Sequence, residues 1–203
     1  STPYKVFTPY YKKGCLGAQE PRYPKTKKLD LAKIKKIKKE GFDDLIKKLD
    51  LVQDKKWQED IYKFVDSGES NARDKLKEFI ANGVKNYKKG RDIPSEKSVS
   101  RLSAHLHFGE ISPNQVWHAI CELNQDTNTE HFLSEIGWRE FSYYLLYHFP
   151  SLPEKNLQKK FDNFPWQNKQ DNLTAWQKGE TGYPIIDAGM RQLYKTGYMH
   201  NRI

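Results

Sequence analysis

The chain has 203 residues, with 35 Lys and Arg against 26 Asp and Glu, and a formal net charge of +9. That length carries one good core and part of a second domain, and no apolar run approaches the roughly 20 residues that a membrane-spanning helix needs. Two cysteines, Cys15 and Cys121, are too few and too far apart for a disulfide framework, so the chain reads as a cytoplasmic protein with no membrane role, and its positive charge suggests a polyanionic partner.

The opening "STPYKVFTPYYKKG" alternates apolar and polar residues in strand fashion and reads as the tail of a preceding domain, or as a connector. "EPRYPKTK" reads as linker. Residues 30–50 place Leu31, Ile34 and Ile37, then Leu45, Ile46 and Leu49 after Gly41, at helical spacing; two short amphipathic helices are predicted there. Lysine runs such as "KIKKIKKE" supply the excess charge: residues 1–100 hold 25 Lys and Arg against 15 Asp and Glu. These runs read as solvated helix faces rather than as a nucleic-acid patch.

Ser70 is a candidate N-cap for a helix that carries Leu76, Phe79, Ile80 and Val84 and ends near Tyr87. "GRDIPSEKS" follows as a loop. Ser112 before Pro113 is a strong helix start. A long helix is predicted from about 129 to 149, stopping before Pro150. Gly179 and Gly197 close two further helices, the second beginning at Pro184. No βαβ unit and no internal repeat is legible, so the fold class is mainly α.

Arginine is scarce, and five of its seven occurrences are Arg91, Arg101, Arg139, Arg191 and Arg202. A guanidinium binds phosphate or carboxylate through a rigid fork, which lysine lacks, so this half of the chain is where geometric recognition is expected. Three stretches have the residue types for it. "SVSRLS" offers Ser98, Ser100 and Ser103 around Arg101, suited to an anion, although serines before a helix are commonly plain caps. "FLSEIGWREFSYY" puts Glu135, Trp138 and Arg139 on one helical face at i, i+3 and i+4, which can equally be a surface ion pair beside a half-buried ring. "TGYMHNR" offers Asn201 and Arg202, able to bond a base edge or a cofactor ring. His105 and His107 have the wrong spacing for a helical metal pair, no Cys cluster accompanies them, and no metal site is expected. No phosphate-binding glycine loop is present.

Taken together, "GRDIPSEKSVSRLSAHLHFGEISP", "SEIGWREF", "FPWQNK", "WQKGETGYPIIDAGMRQL" and "TGYMHNR" resemble, in order and spacing, the flavin-binding domain of DNA photolyases and cryptochromes. The bacterial cyclobutane pyrimidine dimer photolyases are the most similar in these motifs. The resemblance covers about residues 68–203. It implies the following division: residues 1–20 as the end of an α/β antenna domain, 21–67 as an interdomain linker with short helices, and 68–203 as the first half of a helical FAD-binding domain. The implied activity is light-driven repair, in which excited reduced FAD passes an electron to a flipped-out dimer in UV-damaged DNA.

By the same resemblance, Tyr87, Val99, Ser100, Arg101, Leu102 and Ser103 are expected at the FAD. Val99 departs from the family's threonine and loses a hydroxyl, which Ser98 is placed to replace. Glu135 is the expected hydrogen-bond partner of the dimer, Trp138 its stacking platform, and Asn201 the neighbour of the reactive flavin nitrogen. Arg91, Arg139 and Arg202 are expected to meet DNA, and Trp166 to be the outermost tryptophan of an electron-transfer chain. An antenna chromophore of folate or deazaflavin type belongs to the family's amino-terminal domain, and the remaining flavin ligands and inner tryptophans are expected after Ile203. The implied parent is a monomer, and this piece alone is expected to bind FAD poorly and to be inactive. Two other readings stay open: a cryptochrome-type blue-light photoreceptor, and a cofactor-free basic helical DNA-binding module.

Overall fold

A computed structural model describes residues 2–25, 48–49 and 56–203. Among these residues every regular element is helical, as the lack of a βαβ pattern predicts. In chain order, α1 (Phe7–Pro9) runs on as a π-helical stretch, Tyr10–Cys15. Then come α2 (Lys56–Tyr62), α3 (Glu69–Glu78), α4 (Tyr87–Gly90) and α5 (Ser103–His107). The remainder are α6 (Pro113–Cys121), α7 (Thr127–His148), α8 (Gln170–Lys178) and α9 (Pro184–Thr196). Two compact units result: Ser1–Tyr23 with Ser67–Thr174 and Arg202, and Pro24–Asp66 with Ala175–Asn201 and Ile203.

In the first unit α7 is the spine, 22 residues long. Its start is fixed by sequence: Asp126 accepts the N–H groups of Asn128 and Thr129, while Thr129 Oγ1 accepts the Asp126 N–H at 2.8 Å. Ser112 and Gln115 form the same reciprocal cap on α6, with Pro113 in its first turn. Apolar residues of α3, α6 and α7, among them Leu76, Val116, Ile120, Phe132 and Ile136, close the core with Leu102 and Ile111.

Two local expectations are corrected. The opening segment is helical from Phe7, not strand-like. Its rings fall at Phe7, Tyr10 and Tyr11, the i, i+3, i+4 spacing of one helical face, and that face packs on α7. Phe7 stacks on Trp138, and Tyr10 lies 5.0 Å from Phe141 and 4.8 Å from Tyr144. Burial on such a face overrides a short alternating pattern. Further along, α3 starts at Glu69 from Gly68, whose φ of +102° suits glycine, so Ser70 sits inside the helix instead of capping it. The continuation to Tyr87 is not one α-helix: a π-helical turn (Phe79–Gly83) and a 3-10 turn (Val84–Asn86) precede α4. A Cβ at Gly83 would lie 2.7 Å from the Phe79 ring, so this widened turn needs glycine.

In the second unit α2 packs on α9. Asp187 accepts the N–H and hydroxyl of Thr181 and the N–H of Gly182, at 2.6–2.9 Å, and so fixes the entry to α9. Gly179 and Gly197 end α8 and α9 in left-handed conformations, φ +68° and +70°, as predicted. The two short helices predicted within 30–50 lie outside the described residues, apart from Lys48 and Leu49.

Candidate functional site

Glu135 and Arg139 sit on one face of α7, and each is gripped by a different loop or helix. Glu135 pairs through Oε1 with Nη1 of Arg91. Arg91 is itself 4% exposed, although it is a cation at a loop start. Its guanidinium lies 5.5 Å from the centre of the Tyr87 ring, one helical turn earlier on α4. Tyr87 is buried against Phe79 and Phe132, and burial pushes its hydroxyl up to about 12. Arg91 Nε is buried with no hydrogen-bond partner.

The next residue, Asp92, holds Arg202. Its Oδ1 accepts Nε at 2.6 Å and lies 2.5 Å from Nη2. One dipeptide thus pins a carboxylate of α7 on one side and a near-terminal arginine on the other. Asp92 was missed in the sequence. Its signal was there: an acid directly after an arginine, in a loop between motif residues.

Arg139 reaches Glu140 at 3.0 Å, the Tyr143 hydroxyl at 3.3 Å and the Leu106 carbonyl at 3.4 Å. It ties the end of α5 to α7. Trp138 is 45% exposed. Its ring stacks on Phe7 with centroids 3.8 Å apart and planes 11° apart, so the connector already covers part of the surface expected for a base. Arg91, expected at the DNA, is buried in this structure, where it pairs with the partly exposed carboxylate of Glu135.

The Val99–Ser103 stretch forms its own site. Arg101 has φ +53°, rare for a residue with a Cβ. The Leu102 N–H reaches back to Ser100 Oγ at 3.4 Å. Val99, Ser100 and Arg101 line a cavity of about 490 Å³, together with Lys75, Lys97 and Glu78. Three cations against the two acids Glu78 and Glu96 leave the lining one charge positive, which with the Ser100 hydroxyl suits a diphosphate. Leu102 is buried in the core and Ser103 is exposed. Ser98 turns inward, with its side chain against Gly90, where a Cβ would clash, so it does not stand in for the hydroxyl missing at Val99.

Two more expected residues are exposed. Trp166 is 70% exposed and packs on Phe164 at 4.7 Å. Asn201 is exposed in a turn and falls in the second unit. Neither Glu135 nor Trp138 lines the cavity at Val99–Arg101. No helix among the described residues is long and apolar enough to cross a membrane, and no group of three metal-ligating side chains occurs among them.

Residues 132–203 match the FAD binding domain of DNA photolyase. The chain is 43% identical over 208 residues to the deoxyribodipyrimidine photo-lyase of Agrobacterium fabrum, covering 99% of this chain and 42% of that protein. The crystal structure of a bacterial class III photolyase from Agrobacterium tumefaciens matches with a TM-score of 0.79 at 40% identity, over 98% of this chain and 42% of that one. The chain belongs to the DNA photolyase and cryptochrome family. Cryptochrome-2 of Arabidopsis thaliana is also similar, 42% identical over 146 residues, covering 67% of this chain and 24% of that protein. The chain thus spans less than half the length of these photolyase and cryptochrome relatives. Within this family fold, α7 carries the start of the matched FAD-binding region, and the Arg91–Glu135 and Asp92–Arg202 pairs both join that region to the preceding loop.

Proposed function

We infer that this chain forms the dimer-facing and diphosphate-facing part of a cyclobutane pyrimidine dimer photolyase. The observation that carries this reading is the Glu135 carboxylate, held at a partly exposed position by a buried arginine. A surface i,i+4 pair with Arg139 would leave Glu135 loose; Arg139 instead bonds Glu140.

The residues at the bend fit FAD. Ser100 and the backbone around Arg101, with Lys75 and Lys97, would hold its diphosphate. Bound reduced flavin supplies the photoexcited electron that opens the cyclobutane ring. The chain's own groups bind and orient. Held by Arg91, the Glu135 carboxyl would hydrogen-bond the pyrimidine pair. Arg91 would hold the Glu135 carboxyl toward the dimer, and Arg202, held by Asp92, would reach the DNA backbone or the lesion. Trp138 offers an aromatic plane in place of lost base stacking.

The test is blue-light-dependent loss of dimers from a UV-irradiated oligonucleotide by the full-length protein. Glu135→Gln should slow repair by about tenfold or more while flavin content stays constant. Flavin uptake by the 203-residue chain alone should be weak, since much of the relatives' length lies outside the matched stretch. The similarity to Cryptochrome-2 favours one second reading, a blue-light sensor. Photoreduction of the flavin without any dimer loss would establish that reading instead. A full-length protein with no flavin absorption band, but with salt-sensitive DNA binding, would leave only the basic DNA-binding module.

A further inference from the structure

We propose that the cavity bounded by the α1 segment, α6 and α7 is a second ligand site, built for a flat aromatic molecule that carries positive charge. It encloses about 570 Å³, a size ordinary for small-molecule sites. The rings of Tyr10, Tyr11 and Trp117 line it, and such faces take planar rings and cations. Its electrostatics are the telling feature. In a chain with 35 Lys and Arg, no cation lines this cavity, whereas Glu20 and Glu140 both do. Arg139 offsets part of the Glu140 charge from outside, at 3.0 Å, which makes Glu20 the second necessary acid. Burial pushes the thiols of Cys15 and Cys121, which also face the cavity, upward. They are neutral hydrophobes at neutral pH, and the two carboxylates set the sign.

The cavity exists because residue 137 is glycine. A Cβ there would lie 2.5 Å from the Tyr11 ring, so only glycine lets that ring rest on α7 and form the wall. The site is independent of the proposed repair function. It shares no lining residue with the cavity at Val99–Arg101, which carries Lys75, Lys97 and Arg101 against Glu78 and Glu96.

The test uses the 203-residue chain, without DNA, and proflavine, a flat diaminoacridine cation, followed by fluorescence anisotropy. Saturable one-to-one binding is expected, weakened at least fivefold in Glu20→Gln and in Glu140→Gln, and unchanged in Glu78→Gln from the other cavity. Fluorescein, an anion of similar size, should bind with no sensitivity to the Glu20 and Glu140 variants. Gly137→Ala should abolish proflavine binding where its melting curve shows it folded; where it does not fold, the carboxylate variants decide. Absent saturation, or equal proflavine affinity in both carboxylate variants and the parent, overturns the proposal.

Discussion

At the scale of single residues, two neighbours with opposite charge organise the candidate site, and they should respond differently to mutation. Arg91→Met removes the fixed partner of Glu135 and leaves a carboxylate beside an apolar wall. Breaking a buried pair on one side is costly, so a loss of about 3 kcal/mol is expected, at the low end of the range because Glu135 keeps some solvent. A fall in the urea midpoint at unchanged slope would measure it. Lysine at 91 should not restore the loss, since it lacks the planar fork that lies over Tyr87. Asp92→Asn breaks an exposed pair, 58% and 44% accessible, so stability should change by less than about 1 kcal/mol. The effect belongs to recognition. Arg202 gains positive potential, and affinity for undamaged DNA should rise more than affinity for irradiated DNA. The ratio of the two dissociation constants reads this directly.

At the scale of elements, the turn between α5 and α6 is held by one carboxylate. Glu110 accepts the Gly68 N–H and pairs with His105 Nδ1 at 2.5 Å. The Gly68 bond is the larger influence, and together they hold its carboxyl below the usual range. A group depressed in the folded chain stabilises it in full above the ordinary carboxylate value. Falling pH protonates the unfolded chain first, so that stability drains away until the depressed value is passed. Thermal unfolding of the chain should therefore become easier only as pH falls below the ordinary carboxylate value of about 4.3, and Glu110→Gln should flatten that dependence. The caps Asp126 and Asp187, depressed likewise, keep the remainder of the slope. Helix ends were the most legible part of this architecture. Ser112–Pro113, Gly179 and Gly197 announce themselves because caps and left-handed stops are chosen by single residues. The α1 segment and the π-helical turn at Phe79–Gly83 did not, because their form follows from which rings pack against α7 and against Gly83.

At the scale of the molecule, the net charge of +9 should show in how the chain binds nucleic acid. Each phosphate neutralised contributes about −0.9 to the log–log slope of affinity against salt, and a slope steeper than about −2 is expected for duplex binding by this chain. A flat response would remove DNA from its partners. The family and the helical class were determined by sequence alone, because motif order, cap chemistry and residue type are properties of a linear string. The tertiary structure decided that Arg91 faces Glu135 instead of solvent, that Asp92 holds Arg202, that Phe7 occupies a face of Trp138, and that an acidic aromatic cavity lies inside a basic chain. The three contacts join residues 44, 110 and 131 positions apart in the chain. Which charges are desolvated, and therefore need partners, is set only when those helices pack together.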